Sequence, residues 1–457
     1  DSQYQAKVGD TWPQRALLMT KSCRFNSASD DSLSRSPSST GNRKLWTFSC
    51  WVKRSKISAT HEFLITADGA SANETEVYFR GEELSIELYD GNNYYLRTNR
   101  LFRDVSAWYH IVAVWDSGNA TSTDRMKLYV NGERETSFSG TAYPTLNYDS
   151  YMNESGSINR IGRYVNDTKS FNGYMSEAVL IDGQALEPTS FGVANSDGVW
   201  TPIIYTGTFG TNGFNLQFEN AAALGEDSSP NGNTFTVNNL TSIDQTTDYP
   251  VVNYATLNPL QSNNAQDAVT APTNGNLTFN DTNNADWRTM IGTIGVSSGK
   301  WYWEVKATAL TGSGLLGVGR QEYLSTTLNK VSSAYPGSDS GDYSFSYRAG
   351  GTYYYNGTSS GSQPTFTTGN IVMIALDMDN GAIYTGVNGT WNNSGDPTSG
   401  ASKTGASYTG IQTGEPYSPS VSASASNAQL DHNFGSPAFT ISSGNADGNG
   451  YGNFEYA

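Results

Sequence analysis

Aromatic side chains set among Asn, Ser and Gly recur at four places in this sequence. They are Asp90-Gly91-Asn92-Asn93-Tyr94-Tyr95, the stretch from Tyr143 to Tyr151, Tyr353-Tyr354-Tyr355-Asn356, and Asn388-Gly389-Thr390-Trp391-Asn392. Their chemistry is that of non-covalent recognition. Tyr and Trp offer a large contact area with few rotatable bonds, and Asn and Ser offer adaptable hydrogen bonds. A sugar, with an apolar ring face and a rim of hydroxyls, suits that combination. Asp90, Asn92, Asn93, Tyr94 and Tyr95 in one region, and Tyr353, Tyr355, Asn356, Trp391 and Asn392 in another, are the candidate ligand-binding residues. The competing reading of each tyrosine is a half-buried strand residue.

Covalent chemistry has less to draw on. The chain holds three histidines, His61, His110 and His432. His110 lies inside the apolar run WYHIVAVWD, where a satisfied core histidine is expected, and His432 lies in the closing run HNFG. No Gly-x-Ser-x-Gly turn precedes a helical pattern, so no Ser-His-Asp constellation is assigned and no residue is given a catalytic role. No Cys/His pairs have zinc spacing. Asp377-Met378-Asp379-Asn380-Gly381 looks like the start of a calcium loop, but it is one residue out of register and lacks the distant Glu; it reads as a hairpin turn. No glycine loop fit to cradle phosphate is present. Cys23 and Cys50 are too few for a disulfide scaffold, and each sits in an apparent strand, so buried free thiols are expected.

Strands must position these residues. Tyr is 28, Phe 18, Trp 10 and Gly 47 of 457 residues, and charged residues are only 15%. Aromatic and β-branched residues favour strands, and Gly, Asn and Ser favour the turns between them. In LWTFSCWVKRS, Trp46, Phe48, Cys50 and Val52 fall on one face. In WYHIVAVWD, Tyr109, Ile111, Ala113 and Trp115 alternate with Trp108, His110, Val112 and Val114, and both faces are apolar, as in a strand between two layers. Asn131-Gly132 and Asn388-Gly389 are strong hairpin signals. GKWYWEVKA alternates Trp301, Trp303 and Val305 against Tyr302, Glu304 and Lys306. Aromatics at 12% argue against disorder.

Net charge is −16. It opposes binding to nucleic-acid phosphates, which calls for clustered Lys and Arg, and it disfavours an anionic membrane surface. No apolar run approaches the ~20 residues that span a bilayer, and no signal peptide is evident. Asn-x-Ser/Thr sequons number ten, from Asn73 to Asn392, and follow from the composition.

The expected organisation is an N-terminal arm over 1–20, frayed or docked on a partner, and a first sandwich over 21–190. A transition over 191–250 either completes that sandwich or connects it onward. A second sandwich spans 251–440 and a polar Gly/Asn-rich tail 441–457. The fold class is all-β, two tandem antiparallel β-sandwiches.

Residues 45–187, through WTFSCWVK, WYHIVAVWD, KLYVNGE and FNGYMSEAVLIDGQAL, resemble concanavalin A-like, laminin-G-like jelly-roll domains. Residues 299–435, through GKWYWEVK, LGVGR, DYSFSY, VMIALDMDNGAIYTGVNGTW and HNFG, resemble the SPRY domain. The tandem, with CRFNSASDDSLSRSPSSTGNRKLWTFSCWVKRS and GYMSEAVLIDGQALEPTSFG, resembles a type of virion surface protein of marine tailed phages. That resemblance implies a non-enzymatic fibre or capsid-decoration component at the virion surface, extracellular. Its implied partners are other virion proteins and host-surface glycan, and a homo-oligomer, first a trimer, is expected by analogy with fibres. It also raises two rivals, a purely structural virion protein and a polysaccharide depolymerase. Laminarinase-type relatives of the jelly-roll carry Glu-x-Asp-x-x-Glu on one strand. That spacing is absent; Glu82-Glu83 and Glu87-Leu88-Tyr89-Asp90 are the nearest acidic groupings. Laminin-G-like domains can also bind one calcium at the rim, for which Asp68, Asp90 and Asp116 are the loop acids available; no cofactor is otherwise implied.

Overall fold

The computed structural model describes residues 19–57, 61–69, 73–164, 169–262, 271–281, 287–311, 313–322, 334–424 and 427–457. The expected arm over 1–20 lies outside the described residues apart from Met19 and Thr20. Strands carry the fold, and the chain divides into two units between Asn253 and Tyr254.

The first unit is a sandwich of two eight-stranded antiparallel sheets. In one sheet the spatial order is Glu133–Arg134, Met126–Val130, Trp108–Asp116, Leu45–Arg54, Gly173–Asp182, Ser22–Phe25 and Gln245–Thr246, with Phe214–Leu216 also paired to Gly173–Asp182. In the other it is Phe138–Ala142, Asn93–Leu101, Glu83–Tyr89, Glu74–Arg80, His61–Asp68, Ile158–Ile161, Ser32–Arg35 and Thr236–Asn238. The strands from 214–246 are thus threaded into both sheets of this unit. Residues at every second position meet between the layers: Trp46, Phe48, Cys50 and Val52 face Val77, Phe79, Ile86 and Leu88 in one buried cluster. Trp46 and Trp115 stack within it, with ring centroids 6.3 Å apart. Cys23 and Cys50 are both buried and unbonded.

The doubly apolar run at Trp108–Asp116 has its explanation here. Its second face is covered by a layer from farther along the chain, where Val112 and Val114 pack against Phe191 and Phe209. Asn131 and Gly132 both take positive φ, 49° and 85°, and join Met126–Val130 to its partner strand in a two-residue turn. An extra residue interrupts Gly173–Asp182, because Ser176 pairs with Trp51 and Val179 with Ser49. Glu177 sits in that bulge with φ 49°.

The second unit stacks a seven-stranded sheet on a six-stranded one. Trp303, Val305, Ile374 and Leu376 from the smaller sheet pack against Leu316, Phe345, Tyr353 and Val421 from the larger. Trp301 alternates with them in sequence but is 44% exposed, beyond the end of the covered region. The turn Asp379-Asn380-Gly381 joins Ile371–Asp377 to Ala382–Val387. Its acids hold the turn: Asp377 accepts from Asn380 and Lys300, and Asp379 from the Gly299 amide at 2.7 Å. The chain end differs from a free polar tail. Phe454 is buried, its ring edge-on to Tyr302, and the Glu455 and Tyr456 amides donate to the buried Glu304 carboxylate.

Candidate recognition site

Two of the four expected loops come together at the rim of the first unit. Asp90 to Asn92 turn the hairpin between Glu83–Tyr89 and Asn93–Leu101. The Asn92 amide and its Nδ2 donate to Asp90 Oδ1, both at 3.1 Å. The Tyr148 hydroxyl donates to Asp90 Oδ2 at 2.6 Å and accepts from Asn92 Nδ2 at 3.1 Å. Tyr94 meets the Tyr148 ring edge-on at 4.8 Å. Partial burial works against ionisation of Asp90, but the bonds from Tyr148 and Asn92 outweigh it and hold its carboxyl below the usual range. The Tyr148 hydroxyl is pushed up to about 12 by burial and by that carboxylate. Asn92 and Asn93 are exposed, and Tyr94 and Tyr95 half-buried.

Strand alternation extends this rim down the outer face of the sheet. Val77, Phe79, Leu84, Ile86 and Leu88 point into the core, so Glu74, Glu76, Tyr78, Glu87 and Tyr89 point outward. Glu76 lies directly across from Glu87, and Glu74 across from Tyr89. Glu87 Oε2 receives the Tyr78 hydroxyl at 2.7 Å and Arg97 Nη2 at 3.0 Å. The Arg97 guanidinium lies 4.0 Å over the Tyr95 ring. Glu74 accepts from the Tyr164 hydroxyl. Phe63 stacks on Tyr78 at 5.0 Å and tilts against Tyr164 at 4.9 Å. Burial first, and then Glu74 and Glu87, push the Glu76 carboxyl well above its ordinary range. Its Oε1 is buried without a hydrogen-bond partner. The face therefore presents the half-buried Tyr95 and Tyr164 beside the fixed acceptors Glu87 and Glu74, with Phe63, Tyr78 and Glu76 buried beneath.

Sequence reasoning passed over Glu74, Glu76 and Tyr78, and weighed Glu87 only as part of an acidic grouping that did not fit hydrolysis. The signal was present in ETEVYFR: the same two-residue period that places Val77 and Phe79 inward places Glu74, Glu76 and Tyr78 on the opposite face.

Two expected ligand residues of the second unit are interior instead. Tyr353 is 2% and Asn392 4% exposed. The Tyr353 hydroxyl meets Thr385 Oγ1 at 2.9 Å and receives Asn392 Nδ2 and Ser407 Oγ, both at 3.1 Å. A polar network closed on itself in this way positions a core and leaves little for a ligand. Tyr353→Phe is expected to lower the second unit's stability by about 1–2 kcal/mol, because the buried Thr385 and Asn392 and the half-buried Ser407 lose a shared partner; urea unfolding of the full chain reads the change. Tyr355 stacks on Tyr408 at 4.6 Å, and Asn356 takes φ 48° at the Asn356-Gly357 turn. Trp391 packs edge-on to Tyr302 at 6.3 Å.

His110 and His432 are neutral, buried structural groups. His110 Nδ1 accepts from Trp200 Nε1 at 2.9 Å, so its Nε2 carries the proton toward Ser49 Oγ, also at 2.9 Å. Burial lowers His110 to about 3 and His432 to about 4. Among the described residues no three His, Cys, Asp or Glu side chains are grouped to hold a metal ion. Asp116, one of the proposed calcium acids, accepts from Asn119 at 3.2 Å.

Two antiparallel sandwiches, one with an acidic-aromatic outer face, define a class of ligand-binding and interaction modules. The comparisons specify it further. Residues 27–190 match the concanavalin A-like lectin/glucanases superfamily, and residues 300–437 match the SPRY domain, so the two domains stand in tandem. Among solved structures, the SPRY domain of human HERC1 is similar at 19% identity, with 38% of this chain and 96% of that chain covered and a TM-score of 0.29. The native heptameric SAP-like pentraxin from Limulus polyphemus is similar at 18%, with 36% and 76% covered and a TM-score of 0.28. The stonustoxin structure is similar at 19%, with 39% and 27% covered and a TM-score of 0.29. A search of curated proteins found no match.

Proposed function

We propose that this chain is a non-catalytic recognition protein of a virion surface, a fibre or decoration component. It holds host-surface glycan on the outer face and rim of its first domain. The observation that carries glycan binding is the pair of half-buried rings, Tyr95 and Tyr164, beside the oriented acceptors Glu87 and Glu74, with Phe63 and Tyr78 buried beneath them as support. Rings stack on the apolar face of a sugar, and fixed carboxylates take its hydroxyls. The virion setting is supported by the tandem domain order and the motifs that resemble phage surface proteins. Single sites of this kind bind weakly, so the extracellular particle would gain affinity from several copies, with a trimer as the first stoichiometry to test.

A glycan array with the full-length protein should show saturable signal. Glu87→Ala and Tyr95→Ala should each weaken it at least about tenfold, as loss of an anchoring contact does. Absence of any glycan signal, or binding unchanged by both substitutions, would end this reading.

One observation favours a second reading, depolymerisation. Glu76, whose carboxyl burial raises well above its ordinary range, faces Glu87 across adjacent strands, and two facing carboxyl groups are what glycoside hydrolysis uses. Release of reducing ends from host polysaccharide, lost in Glu76→Gln, would establish it.

A further inference from the structure

On the opposite sheet of the first unit, an amine, a carboxylate and a carboxamide are in mutual contact. Lys53 projects from the outer face of Leu45–Arg54 and is fully buried. Its direct cross-strand neighbours are Trp108 and Tyr174, and its Nζ lies 5.6 Å from the Tyr174 ring centroid. Nζ is 2.9 Å from Asp248 Oδ2 and 2.7 Å from Asn253 Oδ1. Both partners are held. Trp108 Nε1 donates to Asp248 Oδ1 at 3.0 Å, the Asp248 amide donates to Thr246 Oγ1 at 3.1 Å, and Ser22 Oγ donates to the Asp248 carbonyl at 2.5 Å. Asn253 Nδ2 donates to the Ser106 carbonyl at 2.8 Å. Met19, Trp51, Trp108 and Tyr174 pack around this place, with Tyr249 and Trp200 against them.

A buried ion pair needs only two groups. The third, a side-chain carboxamide whose oxygen touches the same Nζ, adds an electrophilic carbon within one bond length of that contact. Fixed proximity of this kind replaces a bimolecular encounter, so the entropy of bringing the two groups together is paid in folding. We propose that Lys53 and Asn253 join in an intramolecular isopeptide bond, with Asp248 carrying the protons.

Asp248 takes a proton from the Lys53 ammonium across the 2.9 Å contact, leaving a neutral amine beside a neutral acid, a pair that a low-dielectric site tolerates better than two unshared charges. The carboxamide turns its face, and the Nζ lone pair forms a bond to Asn253 Cγ as the C=O π pair moves onto Oδ1. A proton passes from Nζ through Asp248 to Nδ2. The Oδ1 pair then re-forms the carbonyl, the Cγ–Nδ2 bond breaks, and ammonia leaves with the remaining acid proton as ammonium. The balance is one ammonium and one carboxamide converted to one secondary amide and one ammonium ion, with no change of oxidation state. Asn253 is exposed, which opens a path for ammonium to solvent. The bond would tie a strand in the middle of a sheet to a position 200 residues later, a long closed loop that strongly restricts the unfolded chain.

Intact mass and peptide mapping of the full-length protein test this. The expected result is a chain about 17 Da lighter than its sequence, the mass of one ammonia expelled when the amine displaces it, with a branched peptide joining the segments of Lys53 and Asn253. Lys53→Met, Asn253→Ala and Asp248→Asn should each restore the full mass. Should any of these fail to fold, the wild-type peptide map still decides. Separate linear peptides for Lys53 and Asn253 overturn the proposal. So does a 17 Da loss confined to a linear Asn253 peptide, which is cyclisation at that residue alone, or a branch at Asp248 in place of Asn253. A branched product that persists in Asp248→Asn removes Asp248 from the step.

Discussion

Arg54→Ala should destabilise the first domain by about 3–5 kcal/mol, because it leaves a buried carboxylate without its counter-charge. Arg54 and Glu62 are both buried, with Arg54 Nη2 2.7 Å and Nε 3.1 Å from Glu62 Oε2. The guanidinium also donates to the carbonyls of Phe102 at 2.9 Å and Gly81 at 2.8 Å, and it lies 4.3 Å over the Phe79 ring. Its removal therefore strands one charge and two carbonyls, and a ring loses its cation. For a domain of this size the loss corresponds to a fall of about 10 °C in Tm, read by calorimetry on the full chain. The double variant Arg54→Met with Glu62→Leu should recover most of the loss, since replacing both charges leaves no unpaired ion. Equal destabilisation in the single and double variants would show that packing around Phe79, and not the charge, sets the cost.

Glu177 should make the first domain less stable as pH rises from 5 to 8. It acts with Glu62, also raised to about 7, and Glu76, raised well above its ordinary range, and against His110, whose lowering to about 3 favours the fold as pH rises toward 6.5. Burial pushes the Glu177 carboxyl from the usual 4.5 up to about 7, against opposing hydrogen bonds from Gln217 and Asn215. The folded form therefore holds the proton more tightly than the unfolded chain. The resulting stabilisation is full below about pH 4.5 and is lost as pH climbs through 7; at about 1.4 kcal/mol per unit it amounts to roughly 3 kcal/mol. Urea unfolding of wild type and Glu177→Gln at pH 5, 6, 7 and 8 isolates this share: the stability of wild type relative to the variant should decline as pH climbs from 5 through 7, while the variant keeps the bulge that Glu177 occupies. In the second domain Asp342, raised to about 6 by burial, acts in the same direction over a narrower window. A wild type whose stability relative to Glu177→Gln stays constant or grows between pH 5 and 8 would contradict both the sign and the assignment.

Much of the architecture was legible because it rests on a two-residue period. Trp46, Phe48, Cys50 and Val52 could be assigned to one face from spacing alone, and the two apolar faces of Trp108–Asp116 already announced a covering layer. Asn131-Gly132 and Asn388-Gly389 marked turns because few residue pairs tolerate two successive positive φ values. The rim loop was legible to the same extent. Asp90, Asn92 and Tyr94 were singled out, and the stretch holding Tyr148 was noted separately, but nothing local could say that Tyr148 would bridge Asp90 and Asn92. Tyr353 and Asn392 show the opposite failure. Their Tyr/Asn-rich surroundings match those of a binding loop, and only the fold shows Thr385 and Ser407 meeting them in the interior.

Sequence alone determined the strands, their inward faces and the tightest turns, since each depends on residues a few positions apart and on which side chains avoid water. Tertiary structure decided which sheet edges the strands after residue 191 would join, that Glu76 would lie opposite Glu87, and that Lys53 would reach Asp248 and Asn253. Those pairings join segments far apart in the chain, and their energy appears only after loop closure and register are set by the whole sandwich.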